Sequence, residues 1–180
     1  IYRHPSGLKI VPAGIALRDL RGADPRDLPN AILELLGNTD IIILDASAGL
    51  GREALSAIEA SDEIILITNP DLPSVTDALK AAKLAERVGT KILGVVVNRI
   101  SGKNHEMTRD EIRNMLDYEI LAEIPEDIAV PQSIARRTPV VHYKPSAKAS
   151  REIRRLAARL VGADYRVRRS FLGRLRNLVR

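Results

Sequence analysis

Three places in the sequence put polar side chains at the end of an aliphatic run, where a strand tip can do chemistry. The first is IIILD over residues 41–45, followed by Ala46, Ser47, Ala48 and Gly49. Four aliphatics ending in Asp45 suit a buried strand that delivers one carboxylate to a nucleotide-bound magnesium, an ion that takes few protein ligands. Gly49 and Gly51 would let the following loop move or approach a phosphate. The plain alternative is a strand end with an aspartate in its turn. The second place is VVVNR over residues 95–99. Asn98 offers a donor and an acceptor in one plane, which suits the edge of a base. The third is IPED over residues 124–127. Two adjacent strand tips, one with Asn98 and one with Pro125, Glu126 and Asp127, could bracket a purine ring. A further loop, TNPDLP over residues 68–73, has its geometry set by two prolines and reads as a stiff connector.

The elements that must position these residues alternate in type. Residues 8–11 read as a short strand, and 25–36 as a helix with Asp24 as a possible cap and Pro25 in the first turn. Residues 40–45 read as a buried strand, 52–60 as a short helix and 63–68 as a second buried strand. Ser74 and Asp77 have capping-box spacing for a helix running to Val88, with Gly89 closing it. Residues 91–98 read as a strand, and Thr108 with Glu111 as a second capping box for a helix to about Asp117. Residues 119–124 read as a strand and 131–137 as a short helix. Residues 150–161 read as a longer helix with Ile153, Leu156, Ala157, Leu160 and Val161 on one stripe. The strands are continuous in hydrophobicity rather than alternating, which indicates burial on both faces. The expected fold is α/β: a parallel sheet with helices on both faces. In such sheets ligands bind beyond the carboxyl ends of the strands.

Composition narrows the chemistry. The 180 residues contain 28 Lys and Arg, 23 Asp and Glu, three His and no Cys. The absence of Cys excludes disulfides, thiolate zinc sites, cysteine-ligated clusters and cysteine nucleophiles within this sequence. His4, His105 and His142 are far apart in sequence. Aromatics make up 3%, too few for a base-stacking platform. No apolar run approaches the roughly 18 residues of a membrane span. No signal-like segment is seen, and the cytoplasm is the expected compartment. The chain opens on Ile1 rather than Met, and the expectation is that it starts within a longer polypeptide.

The charge is concentrated at one end. Residues 166–180 hold six arginines and no acid, so the remaining 165 residues carry 5 − 6 = −1 of the net +5. The domain organisation expected is a body over 1–164 and a basic tail over 165–180. Taken as a helix, Phe171, Leu172, Leu175, Leu178 and Val179 cover an arc of roughly 120° at about 100° per residue. Arg169, Arg174, Arg176 and Arg180 lie outside it. A short basic amphipathic helix suits an anionic bilayer surface. A final helix packed on the body and a nucleic-acid arm are the alternatives.

The stretch DIIILDASAGLGREALSAIEASDEIILITNPDLPSVTDA, then VVVNR and IPED in that order, resembles the MinD/ParA group of deviant-Walker P-loop ATPases, on its MinD side. The resemblance covers nearly the whole chain and includes the tail. It implies ATP and Mg2+ as cofactors. Asp45 then corresponds to the Walker B aspartate on the magnesium shell, and residues 46–49, with Gly49, to the switch that senses the γ-phosphate. Asn98 corresponds to the adenine-recognising Asn, and Pro125, Glu126 and Asp127 to the loop across the adenine. It further implies an ATP-dependent homodimer, a regulatory protein partner and a tail that targets the membrane. The protein is then cytoplasmic and peripheral on the inner face of the cell membrane, as a spatial regulator of cell division. A DNA-partitioning or flagellar-placement ATPase of the same fold and a non-enzymatic truncated scaffold are the alternatives. Two departures stand out. Ser47 occupies a position where the family usually has Pro, and no G-x-x-x-x-G-K-[ST] loop occurs in the sequence. The chain looks like the C-terminal part of such a protein, and these 180 residues alone are expected to be inactive.

Overall fold

A computed structural model describes residues 1–4, 7–12, 24, 27–33, 35, 37, 39–46, 49 and 51–165. It forms two compact units, Ile1–Ser61 and Asp62–Arg180. In the first unit, β1 (Tyr2–Arg3) pairs antiparallel with β2 (Lys9–Ile10), Tyr2 opposite Ile10. Only these two of the four residues expected at 8–11 form a ladder. Between them the Gly7 N–H donates to the His4 carbonyl at 2.9 Å, with Gly7 at φ 89°. Helix α1 (Leu28–Leu33) occupies the middle of the span expected at 25–36; Pro25 and Leu36 lie outside the described residues. Helix α2 (Arg52–Glu59) agrees with expectation, buries Ala54, Ser56, Ala57 and Ile58, and packs on α1.

Residues 40–45 differ from the reading. They form no ladder among the described residues, Asp40 sits in a bend, and Ile41 and Ile43 are 59% and 86% exposed. An aliphatic run favours a strand only when a neighbouring strand satisfies its N–H and C=O groups. None does so here.

The second unit is built on a three-stranded parallel sheet in the order β3 (Glu63–Thr68), β4 (Lys91–Ile100), β5 (Ile120–Pro125). Helix α3 (Leu72–Val88) joins β3 to β4, and α4 (Arg109–Leu116) joins β4 to β5. Leu66, Val95, Val97 and Ile120 from the sheet meet Val75, Ala78 and Ala82 of α3 and Ile112 and Leu116 of α4 in one core. Val95 and Val97 share a face because side chains alternate along a strand. Three short stretches follow: α5 (Ala129–Ala135), α6 (Val140–Tyr143), which the sequence reading missed, and α7 (Lys148–Leu160). Helix α7 packs on β5 and runs against its direction, since Ala149 lies at Asp127 and Arg159 at Glu119. Of its expected apolar stripe, Ile153 and Leu156 are half-buried, while Ala157, Leu160 and Val161 are exposed. The tightest burial on α7 is by Ala149 and Ser150, whose small side chains allow close approach.

Local signals set most boundaries. Thr108 and Glu111 form the expected capping box, and Gly89 closes α3 at φ 87° with its N–H on the Ala85 carbonyl. Helix α3 begins earlier than expected because Asp71 caps it. The Asp71 carboxylate accepts from the Ser74 N–H and hydroxyl, both at 2.9 Å, so Ser74 is inside the first turn. Helix α5 likewise starts at Ala129 and keeps Pro131 in its first turn, where a missing N–H costs nothing.

Candidate functional site

The carboxyl ends of β4 and β5 form one worked corner. Val97 pairs with Glu123 and Ile100 with Pro125, so Asn98 and Arg99 together face Ile124 alone. This is a β-bulge, a device that re-aims side chains near sites. Arg99 takes the left-handed conformation at φ 58°, uncommon for a side chain of its size. The bulge is locked from across the corner. The Glu126 N–H donates to the Ile100 carbonyl at 2.9 Å, and Arg99 Nη2 donates to Glu126 Oε1 at 3.2 Å. Asn98 is half-buried at this bulge, and its side chain makes no hydrogen bond among the described residues. Its amide therefore keeps both a donor and an acceptor free.

Asp127 has a different job. Its Oδ1 accepts from the Ala129 N–H at 2.9 Å, the i, i+2 spacing of an Asx turn, and its Oδ2 accepts from the Ala149 N–H at 3.3 Å. One carboxylate thus holds the starts of α5 and α7 to the end of β5. The Ala129 N–H, then those of Ala149 and Lys148, and the Lys144 charge hold its carboxyl below the usual range, against a burial effect that raises it. Of the residues expected to face a base, Asn98, Pro125 and Glu126 are brought together, while Asp127 fixes the wall that carries them. Sequence reasoning missed Arg99 and the reach of Asp127 to Ala149. The Asp127-to-Ala129 spacing was a signal for the first of its two bonds only.

The loop after β3 is the stiff connector expected. Thr68 is buried, Asp71 caps α3, and the Pro70 carbonyl accepts from the Met107 N–H at 2.9 Å. Asp45 belongs to the other unit. Its carboxylate is exposed and makes no hydrogen bond or ion pair among the described residues. Gly49 sits in a bend at φ 108°, a conformation that favours glycine; Ser47 lies outside the described residues. No group of three or more His, Asp or Glu capable of holding a metal occurs among the described residues. A lone free carboxylate still fits Mg2+, which is commonly held by one or two carboxylates, waters and substrate phosphates. The residues expected to meet a membrane, Phe171, Leu172, Leu175, Leu178, Arg169, Arg174 and Arg176, lie outside the described residues. Among the described residues, no helix is long and apolar enough to cross one.

Comparison with known proteins adds three findings. The family model ParA, described as NUBPL iron-transfer P-loop NTPase, matches residues 32–161. An uncharacterized ATP-binding protein of Methanocaldococcus jannaschii is 36% identical over 92% of this chain and 62% of its own. The septum site-determining protein MinD of Thermotoga maritima is 30% identical, again over 92% of this chain and 62% of its own. The chain thus spans less than two thirds of both relatives. Among solved structures, MinD from Pyrococcus horikoshii, complexed with Mg-ADP, superposes with a TM-score of 0.77 at 33% identity, covering 82% of this chain and 60% of that one.

Proposed function

We propose a function on one premise: the chain belongs to the ParA family of P-loop NTPases. It is a homologue of the MinD and ParA ATPases, a family that binds ATP. Beyond that, our reading is that the parent protein is a MinD-like switch. It binds ATP with Mg2+, dimerises, holds an anionic membrane through the basic tail, and lets go on hydrolysis, in the service of placing the division septum. It then works from the cytoplasmic side of the membrane with a regulatory protein partner. The septum role rests on the names of the MinD relatives, so it is the finest part of the reading.

The observation that carries the nucleotide part is the unspent amide of Asn98 at the locked bulge. An Asn side chain can accept from the N6 amino group of adenine while donating to a ring nitrogen beside it. Guanine presents an acceptor where adenine presents that donor, so the same geometry discriminates. Pro125 and Glu126 form the facing wall. By the family resemblance, Asp45 would hold the Mg2+ shell through water and Gly49 would belong to the switch that senses the γ-phosphate. These 180 residues carry no phosphate-cradling glycine loop, and by themselves we expect no turnover from them.

The test is Asn98→Ala in the full-length protein. Losing two hydrogen bonds to the base should weaken Mg-ATP binding about tenfold or more and erase most of the preference for ATP over GTP. Titration of both nucleotides into both proteins reads this directly. An unchanged ATP-to-GTP ratio would sink the assignment.

A further inference from the structure

The second unit contains a hollow of about 460 Å3 between the 126–128 loop and the start of α7, lined by Glu126, Asp127, Ile128, Lys144, Lys148 and Arg151, among others. Its two acids are already engaged. Glu126 is paired with Arg99, and both oxygens of Asp127 accept backbone N–H groups. Of its three cations, Lys144 lends its charge to Asp127, while Lys148 and Arg151 pair with no acid among the described residues. The side chains of Lys144, Lys148 and Arg151 make no hydrogen bond or ion pair among the described residues.

The neighbouring cations behave differently. Arg155 pairs with Glu152 at 2.7 Å, Arg159 with Glu119 at 2.7 Å, Arg154 donates to the Val141 carbonyl at 2.6 Å, and Arg136 lies over the Tyr143 ring at 5.8 Å. Glu152 is the only acid from Ile128 to Ala163 and is taken by Arg155, so the three cations at the hollow share two carboxylates that are already engaged, Glu126 with Arg99 and Asp127 with backbone N–H groups and the Lys144 charge. Lys148 and Arg151 stand at i and i+3 on α7, where like charges repel. Gathering three positive side chains on one concavity is unfavourable unless an anion shares them.

We propose that this hollow binds a phosphate group, carried by a lipid headgroup or by a soluble phosphate compound. Arg151 offers the planar fork that matches phosphate oxygens, and the two lysines add point charges around it. The Ser146 hydroxyl on the lining supplies a neutral donor. Ile128, 68% exposed at the same hollow, gives an apolar contact to whatever bears the phosphate. The hollow adjoins the wall that faces Asn98 through Glu126, but its three cations are not part of that wall, and the proposal does not depend on the nucleotide reading.

The experiment uses the full-length protein, the double variant Lys148→Glu with Arg151→Glu, the milder Lys148→Gln with Arg151→Gln, and Lys80→Glu as a surface-charge control. Calorimetric titration with inorganic pyrophosphate and with glycerol 3-phosphate forms one arm. Sedimentation with vesicles of phosphatidylglycerol and phosphatidylcholine, against phosphatidylcholine alone, forms the other. The expected result is saturable binding that falls about tenfold or more in both double variants and is unchanged in Lys80→Glu. Loss of soluble-probe binding in the double variants assigns a soluble phosphate; loss of anionic-vesicle binding alone in those variants assigns a headgroup, because vesicle binding through the basic tail is the same in every variant. ATP binding should stay within about twofold in every variant, which separates this site from the nucleotide site. No binding, an equal loss in Lys80→Glu, or disappearance of pyrophosphate binding once the nucleotide site is saturated with ATP would overturn the proposal.

Discussion

Two nearly identical aliphatic runs meet different fates in this molecule. IIIL at residues 41–44 lies in the first unit and IILI at residues 64–67 in the second, about twenty positions apart. The second is β3, in parallel register with β4, with Leu66 at 5% exposure beneath α3 and α4. The first has no ladder among the described residues, and Ile43 is among the most exposed apolar side chains described. Composition does not separate them. What separates them among the described residues is the supply of a neighbour: β4 pairs with β3 along one edge, with one irregularity at Ile64 and Ile65, and α3 packs over it. Even so, Ile67 of β3 is 67% exposed, which shows that backbone pairing and side-chain burial are separate conditions.

The sharpest way to break this comparison is to truncate one residue from each run. Leu66→Ala removes atoms from a closed core and should cost about 2–5 kcal/mol. Ile43→Ala removes atoms from solvent and should fall within about 0.5 kcal/mol in these 180 residues. Urea unfolding of both variants checks this. Equal losses would mean that residues 41–44 are buried in solution and that the contrast between the units is wrong.

The same distinction explains what was legible beforehand. Glu63–Thr68 and Arg109–Leu116 could be read from short windows, because an aliphatic run with turn residues beyond it, or a Thr with a Glu three residues on, carries its own signal. The core of the second unit followed from those elements. The corner at Asn98 was legible in residue type, through the order of VVVNR and IPED, and through the family resemblance those motifs carry. Its geometry was not. The bulge arises from the register between β4 and β5, and Arg99 at φ 58° leaves no mark in composition. Asp127 reads as one more polar residue in a loop until Ala149, 22 positions later, is placed beside it. Residues 40–45 failed for the reverse reason: the local signal was strong, and no partner strand lies beside them among the described residues.

A second comparison sets two aspartates against each other. Asp127 and Asp45 each stand just after an aliphatic run, yet Asp127 spends both oxygens on backbone N–H groups while Asp45 spends neither. Asp127→Ala strands the N–H groups of Ala129 and Ala149, both buried residues, and should cost about 1–3 kcal/mol. It should also loosen the Glu126 wall and weaken nucleotide binding along with stability. Asp45→Ala should leave stability within about 0.5 kcal/mol, since an exposed side chain with no partner is lost. Thermal unfolding of the pair measures the gap. If Asp127→Ala is as silent as Asp45→Ala, the carboxylate does not tie α7 to β5.

The smallest effect concerns the loop that follows the bulge. The Glu106 carboxylate accepts from the Ser101 hydroxyl at 2.6 Å, the Ser101 N–H at 2.9 Å and the Gly102 N–H at 2.8 Å. The hydroxyl first, then the N–H groups of Ser101, Gly102 and Lys103, hold its carboxyl down to about 2 from an ordinary 4.5. Because the folded value lies below the unfolded one, ionised Glu106 stabilises the native chain above the unfolded value. That contribution is lost as pH falls from about 4.5 toward 2. The group is exposed, so solvent screens it and the effect is the least of those argued here. Glu106→Gln should lower the urea midpoint at neutral pH, and the gap to the native sequence should close as pH drops through that window. A gap independent of pH would mean that Glu106 acts by shape alone. The β4 corner would then be held by the Arg99 and Glu126 pair and the Ile100 carbonyl without help from this loop.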